Sequence, residues 1–161
     1  MSIPGKYNRG SLIDVLKNKL KNGPPPSSCT FCDIVQSDEK KQVIYRDTKN
    51  IIIKDIRPAS KSHILVIPKD HVQNITTASF DIVTSLIETG SQYLSSNRYY
   101  QQVASTNDVL MGFHKPPYNS VYHLHLHIVY PISSMNGHET KRIMNPGWIS
   151  VEDWISEDSK K

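Results

Sequence analysis

At 161 residues the chain has material for one domain with a buried core but not for two independent ones, so a single active site is expected. Hydrophobic residues at 37% and charged residues at 21% exclude a disordered chain, and no apolar run approaches the roughly 20 residues that a spanning helix needs. The net charge of +4 sits in residues 1–28, where Lys6, Arg9, Lys17, Lys19 and Lys21 face Asp14 alone; the rest is neutral, which argues against a nucleic-acid footprint.

Residues 1–28 read as a basic extension. Ser11 can cap a short amphipathic helix to Asn22, with Leu12, Val15, Leu16 and Leu20 on one face, and Gly23 to Ser28 form a Pro-rich linker. The helix is read as docking on the body or on a partner subunit, and scarce arginine argues against organelle targeting. The domain proper is residues 29–161. Its only cysteines, Cys29 and Cys32, form a C-x2-C pair with no cleavable apolar signal before it, which favours a reducing compartment, cytoplasmic or nuclear.

From Cys29 onward the pattern turns to short β-type runs. Val43 to Arg46, Asn50 to Asp55 and His63 to Ile67 read as strands. Ser79 can cap the longest helix, to about Ser96, since Phe80, Val83, Leu86, Ile87, Tyr93 and Leu94 fall near helical spacing. Further strands are expected near Tyr100 to Asn107 and at Tyr122 to Tyr130, separated by a Gly- and Pro-punctuated loop from Gly112 to Ser120. Ser150 opens a final helix carrying Trp154 and Ile155 inward.

The segment His123-Leu-His125-Leu-His127-Ile-Val129 is the most informative. On a strand, alternate side chains share a face about 6.5–7 Å apart, so three imidazoles line one side while Leu124, Leu126 and Ile128 enter a core. Such a row suits an anionic phosphate, and an imidazole can attack phosphorus and leave again. Spacing alone leaves a metal site, phosphate chemistry and accident all open.

His123-Leu-His-Leu-His127-Ile-Val129 resembles the H-φ-H-φ-H-φ-φ signature of the histidine triad superfamily. Cys29-Thr-Phe-Cys32-Asp-Ile34, Asp55-Ile56, His63 to His71 and Ser120 to His123 resemble its Hint branch in order and spacing, over about residues 29–130. The resemblance implies an α+β fold: a five-stranded antiparallel sheet with one long helix and one or more short ones, dimerising into a ten-stranded sheet. It implies hydrolysis of adenosine 5′-phosphoramidates through a covalent nucleotidyl-histidine. Carried over by position, His125 is the nucleophile and His127 contacts phosphate oxygens, with Ser120 and His123 completing the catalytic group. Asp55 takes the ribose hydroxyls, Phe31, Ile34 and Ile56 pack on the purine, and Asn119 and Ser120 complete the nucleotide site. For His125 to attack through Nε2, its Nδ1–H needs an acceptor, most simply a main-chain carbonyl.

The C-x2-C pair has the spacing of a zinc half-site. Zinc-containing relatives imply completion by His63 and His123, a structural Cys29, Cys32, His63, His123 site; two small buried cysteines beside hydrogen-bonded histidines is the alternative. No catalytic metal or organic cofactor is implied. Gly112 stands where the resemblance leads one to expect a phosphate-facing asparagine. His114 and Lys115 read as a solvated loop pair, His71 and His138 as surface residues, and Trp148 and Trp154 as core or dimer contacts. The expected partners are a purine nucleotide and a second copy of the chain. Removal of AMP from adenylated nucleic-acid ends, as in aprataxin-type members, and a nucleotide-binding regulatory module are the rival functions.

Overall fold

The computed structural model describes residues 28–37 and 42–161; the helix expected over Ser11 to Asn22 and nearly all of its linker lie outside them. The elements are α1 (Thr30–Gln36), β1 (Val43–Arg46), β2 (Asn50–Lys54), β3 (Ser62–Pro68), α2 (Phe80–Leu94), α3 (Arg98–Ala104), β4 (Leu110–His114), β5 (Leu126–Tyr130), a 3-10 turn at Ile132–Ser134, α4 (Gly137–Ile143), β6 (Trp148–Ser150) and α5 (Val151–Asp158). All neighbouring strands pair antiparallel, in the order β1-β2-β3-β5-β4-β6. The α+β fold is as expected, and β6 adds a sixth strand beside β4.

Alternation along the strands gives the sheet two different faces. Ile52, Ile64, Val66, Leu126 and Ile128 meet Val83, Leu86 and Leu94 of α2 in the main core. Ile51, Ile53, Leu65 and Ile67 point the other way and meet Cys29 and Phe31. The long helix thus buries one face, and short α1 covers part of the other. The long helix and the last one start on the residue type that chemistry favours: the Ser79 hydroxyl accepts from the Ile82 N–H, and the Ser150 hydroxyl from the Asp153 N–H at 3.0 Å.

Three expectations need correction. The run from Tyr100 is helical, because the Asn97 side chain accepts from the Tyr100 N–H at 3.0 Å and caps α3, outweighing the β preference of its tyrosines and Val103. The strand falls later, at Leu110–His114, so Gly112 and His114 belong to the sheet rather than to a loop. In α5, Trp154 turns inward and stacks on Phe80, whereas Ile155 is exposed.

Candidate active site

The strand expected over Tyr122 to Tyr130 begins only at Leu126, so of the triad histidines His127 alone lies in β5 and His123 and His125 precede it, yet Leu124, Leu126 and Ile128 still alternate into the core. All three rings are buried, which removes the reading of a histidine-bearing surface strand. Phe31 of α1 sets its ring edge against His125 at 5.1 Å and His123 at 5.9 Å between centroids, and the His125 and His127 rings are 4.8 Å apart.

The Nδ1–H of His125 donates to the His123 carbonyl at 2.7 Å, the acceptor that an Nε2 nucleophile requires. A proton on Nδ1 leaves the neutral ring's lone pair on Nε2. Burial pushes His125 down to about 4, against the opposing pull of that carbonyl, so the ring stays neutral.

His127 sits between two further imidazoles. The strand register brings all three together: Gly112 of β4 lies opposite His127, so His114 shares its face two residues on, and Leu65 of β3 lies opposite His127, so His63 does likewise. His63 Nε2 is 2.9 Å from His127 Nδ1, and His114 Nδ1 is 3.2 Å from His127 Nε2. Burial first, then the neighbouring His125, His63, His114 and Arg142, hold His127 well below its ordinary value.

Asp55 follows the end of β2. Its Oδ1 accepts from the Arg57 N–H at 2.7 Å and its Oδ2 lies 3.4 Å from His63 Nε2. Ile56 beside it is 86% exposed, an aliphatic side chain held in solvent next to the histidines, and Ile34 packs in the cluster of Phe31. Ser120 is exposed on the approach to β5. Asn119 is buried; its Oδ1 has no partner among the described residues and lines a small cavity shared with His114, His123 and His125.

The cysteine pair gathers a histidine set different from the expected one. His63 is committed to His127 and Asp55, and His71, three residues past the end of β3, takes the place assigned to it. Cys29 Sγ is 3.4 Å and Cys32 Sγ 3.5 Å from His123 Nδ1, and Cys32 Sγ is 3.2 Å from His71 Nδ1. The four ligand atoms lie within 4.8 Å of one another. A tetrahedral zinc with ordinary bond lengths would hold sulfur and nitrogen about 3.6 Å apart. The second shell also fits, since His123 Nε2–H donates to the Pro68 carbonyl at 2.9 Å and turns the Nδ1 lone pair toward both sulfurs. Burial and the adjacent Cys29 push the Cys32 thiol up to about 12. A cation between the sulfurs would reverse that tendency.

Residues 28–143 match the protein family described as "Scavenger mRNA decapping enzyme C-term binding". Adenosine 5′-monophosphoramidase HINT3 of Xenopus tropicalis is 37% identical over 112 residues, 67% of this chain and 71% of the relative. The chain belongs to the histidine triad family. Another triad relative is the bifunctional adenosine 5′-phosphosulfate phosphorylase/adenylylsulfatase HINT4 of Arabidopsis thaliana, 36% identical over 62% of this chain and 68% of its own. Among solved structures, Hnt3 in complex with DNA and guanosine superposes with a TM-score of 0.53 at 25% identity, over 77% of this chain and 73% of that one.

The triad site reaches the end of the family match and, at Gly147 and Trp148, passes it. His114 Nε2–H donates to the Ile143 carbonyl at 2.8 Å, the Lys115 N–H to the Gly147 carbonyl at 2.7 Å, and Arg142 to the Arg57 carbonyl at 2.8 Å. Trp148 sets its ring 5.3 Å from His114 and 6.2 Å from His127. Gly112 makes this possible: a Cβ there would lie 2.5 Å from the Trp148 ring and would strike the Ile149 carbonyl. The solvated pair expected at His114 and Lys115 is therefore half-buried under the C-terminal segment. Once β4 is in register, period-2 alternation finds His114 from Gly112; nothing comparable in the sequence marks Ile143 or Trp148.

Proposed function

We propose that this histidine triad protein cleaves adenosine 5′-phosphoramidates by double displacement on His125. The observation that carries the reading is the His125 Nδ1–H bond to the His123 carbonyl, which leaves an unprotonated Nε2 free to attack. Nε2 forms a bond to the α-phosphorus as the P–N bond to the amine breaks, and the amine leaves with a proton from the solvent side. Water then attacks the nucleotidyl-imidazole, the P–Nε2 bond breaks, and AMP departs; overall, one water is divided between amine and phosphate. The Nε2–H of His127, Ser120 and backbone N–H groups serve the charged phosphate oxygens, where fixed donors lower the barrier. Asp55 receives the ribose hydroxyls, Phe31, Ile34 and Ile56 face the purine, and Asn119 faces the leaving-group side. The chemistry as written uses no catalytic metal or organic cofactor.

The activities named for the relatives support the adenylyl half of the substrate: a monophosphoramidase and an adenylylsulfatase share it and differ in what departs. The solved neighbour with DNA and guanosine favours a second reading, removal of AMP from 5′-adenylated DNA. Cys29, Cys32, His71 and His123 would hold a structural zinc that ties α1 to the sheet. The chain is expected to pair with a second copy, which light scattering on the purified protein measures.

The test is turnover of an AMP-lysine conjugate, an AMP-amine panel and 5′-adenylated DNA by wild type and His125→Ala. Phosphoramidate cleavage that vanishes in His125→Ala supports the reading. Turnover of adenylated DNA alone transfers it to the second, and tight AMP binding with no turnover of either leaves a nucleotide-binding module.

A further inference from the structure

A neutral imidazole has one donor and one acceptor nitrogen, so a row of bonded rings has only two consistent directions. Here both ends are fixed by main chain. At one end the Ala59 N–H, which can only donate, points at His63 Nδ1 from 3.1 Å. His63 therefore carries its proton on Nε2, which faces His127 Nδ1 at 2.9 Å and Asp55 Oδ2 at 3.4 Å. His127 Nδ1 accepts, so its proton is on Nε2, aimed at His114 Nδ1 3.2 Å away. His114 then carries its proton on Nε2, and this proton meets the Ile143 carbonyl, which can only accept, at 2.8 Å. The reverse direction would set two donors face to face at Ala59 and two acceptors at Ile143.

The proton direction also disfavours a metal at the other group of potential ligands. Asp55, His63 and His127 lie close enough to share an ion. The Ala59 amide, however, keeps the proton on His63 Nε2, the nitrogen that would bind it.

We propose that His114, anchored on the Ile143 carbonyl, is a positioning residue that holds the ring plane of His127 with its Nε2–H forward for the phosphate. This rests on the proposed phosphate role of His127, and it makes α4, through the buried Ile143, a part of the catalytic apparatus. His63 fixes the tautomer from behind. His114 holds the ring plane from the front, where a free His127 would otherwise rotate about its side chain before substrate arrives, and the phosphate oxygen then replaces His114 Nδ1 as the acceptor of the one Nε2–H. Burial of all three rings keeps the row neutral and the direction defined.

The experiment has two arms. In uniformly ¹⁵N-labelled wild type, long-range ¹H–¹⁵N correlation spectra should show His127 and His114 both protonated at Nε2 and bare at Nδ1. In parallel, His114→Phe removes the acceptor at similar size, and His114→Asn restores it, because the Asn Oδ1 sits near the place of Nδ1. The expected result is a kcat about 10- to 100-fold lower in His114→Phe with KM changed much less, a His127 still protonated at Nε2 through His63, and recovery of most of kcat in His114→Asn. A wild-type His127 protonated at Nδ1 overturns the proposal, as does full kcat in a folded His114→Phe. Should His114→Phe not fold, the wild-type spectrum and the Asn variant decide. Should wild type cleave no phosphoramidate, the proposed function fails, and the spectrum still reports on the tautomer row.

Discussion

The ring of His125 is held by the backbone of His123, two residues earlier, at 2.7 Å from Nδ1 to the carbonyl oxygen. Because the acceptor is main chain, changing the His123 side chain leaves it in place, whereas changing His125 removes the attacking atom. We expect His125→Ala to lower single-turnover cleavage of an AMP-lysine conjugate by on the order of 10⁴-fold or more while AMP binding persists. His123→Asn should cost far less in kcat. Equal losses in the two variants would count against His125 as nucleophile.

The sulfur–nitrogen distances put His71 rather than His63 beside the two cysteines, where the proposed zinc would sit. Protein purified without chelator should contain close to one zinc per chain by elemental analysis. His71→Ala should lose most of it, and His63→Gln should keep it. Wild type with only traces of zinc defeats the assignment; equal loss in both variants would mean that the structural cost of either change, and not ligation, governs the metal.

Gly112→Ala probes the seam between β4 and β6. The added methyl meets the Trp148 ring at 2.5 Å and the backbone of Ile149, and backbone cannot turn aside as a flexible side chain can. Overpacking of this kind costs about 1–3 kcal/mol. A lowered urea midpoint with a change in the tryptophan emission spectrum is the expected outcome, and an unaltered midpoint would mean that β6 is not seated as described.

Stability should fall in mild acid. Burial brings His63 from 6.5 down to about 4, helped by Arg142, His125 and His114 and opposed by Asp55, and it holds His127 well below 6.5. The unfolded chain keeps both at ordinary values, so below 6.5 it binds protons that the folded chain refuses. The stabilisation is complete above pH 6.5 and is lost as pH falls toward about 4, beneath which the His63 contribution is flat. Melting temperatures across that interval should decline, and His63→Gln should decline less steeply; a flat wild-type profile contradicts the buried neutral pair.

Much of this site was legible before any coordinates. The Ile-rich runs of β2 and β3, the Ser79 cap and the His123 to Ile128 alternation each carry their signal within a few adjacent residues, and the structure keeps them. Other features depend on distant chain. Tyr99, Tyr100 and Val103 have strand-like side chains, and only the Asn97 cap makes α3 a helix. Gly112 hides β4 because glycine is a poor strand former, and its reason for being there, the Trp148 ring, lies 36 residues on. His63 and His71 are equivalent by composition. Which one meets the cysteines is decided by the pairing of β3 with β5, which commits His63 to His127.

The β4–β6 pairing also limits how the sheet can grow. Among the described residues, with β5 on one side and β6 on the other, β4 has no continuous free row of amides and carbonyls to offer a second molecule. The open rows among these residues belong to β1, four residues long with an irregular register, and to β6, only three residues long. Both are short templates for strand addition, a usual protection against uncontrolled edge-to-edge association. A sheet running on through two copies would have to be joined at one of these two short seams, so the strength of such a pair would have to come from side chains rather than from shared backbone.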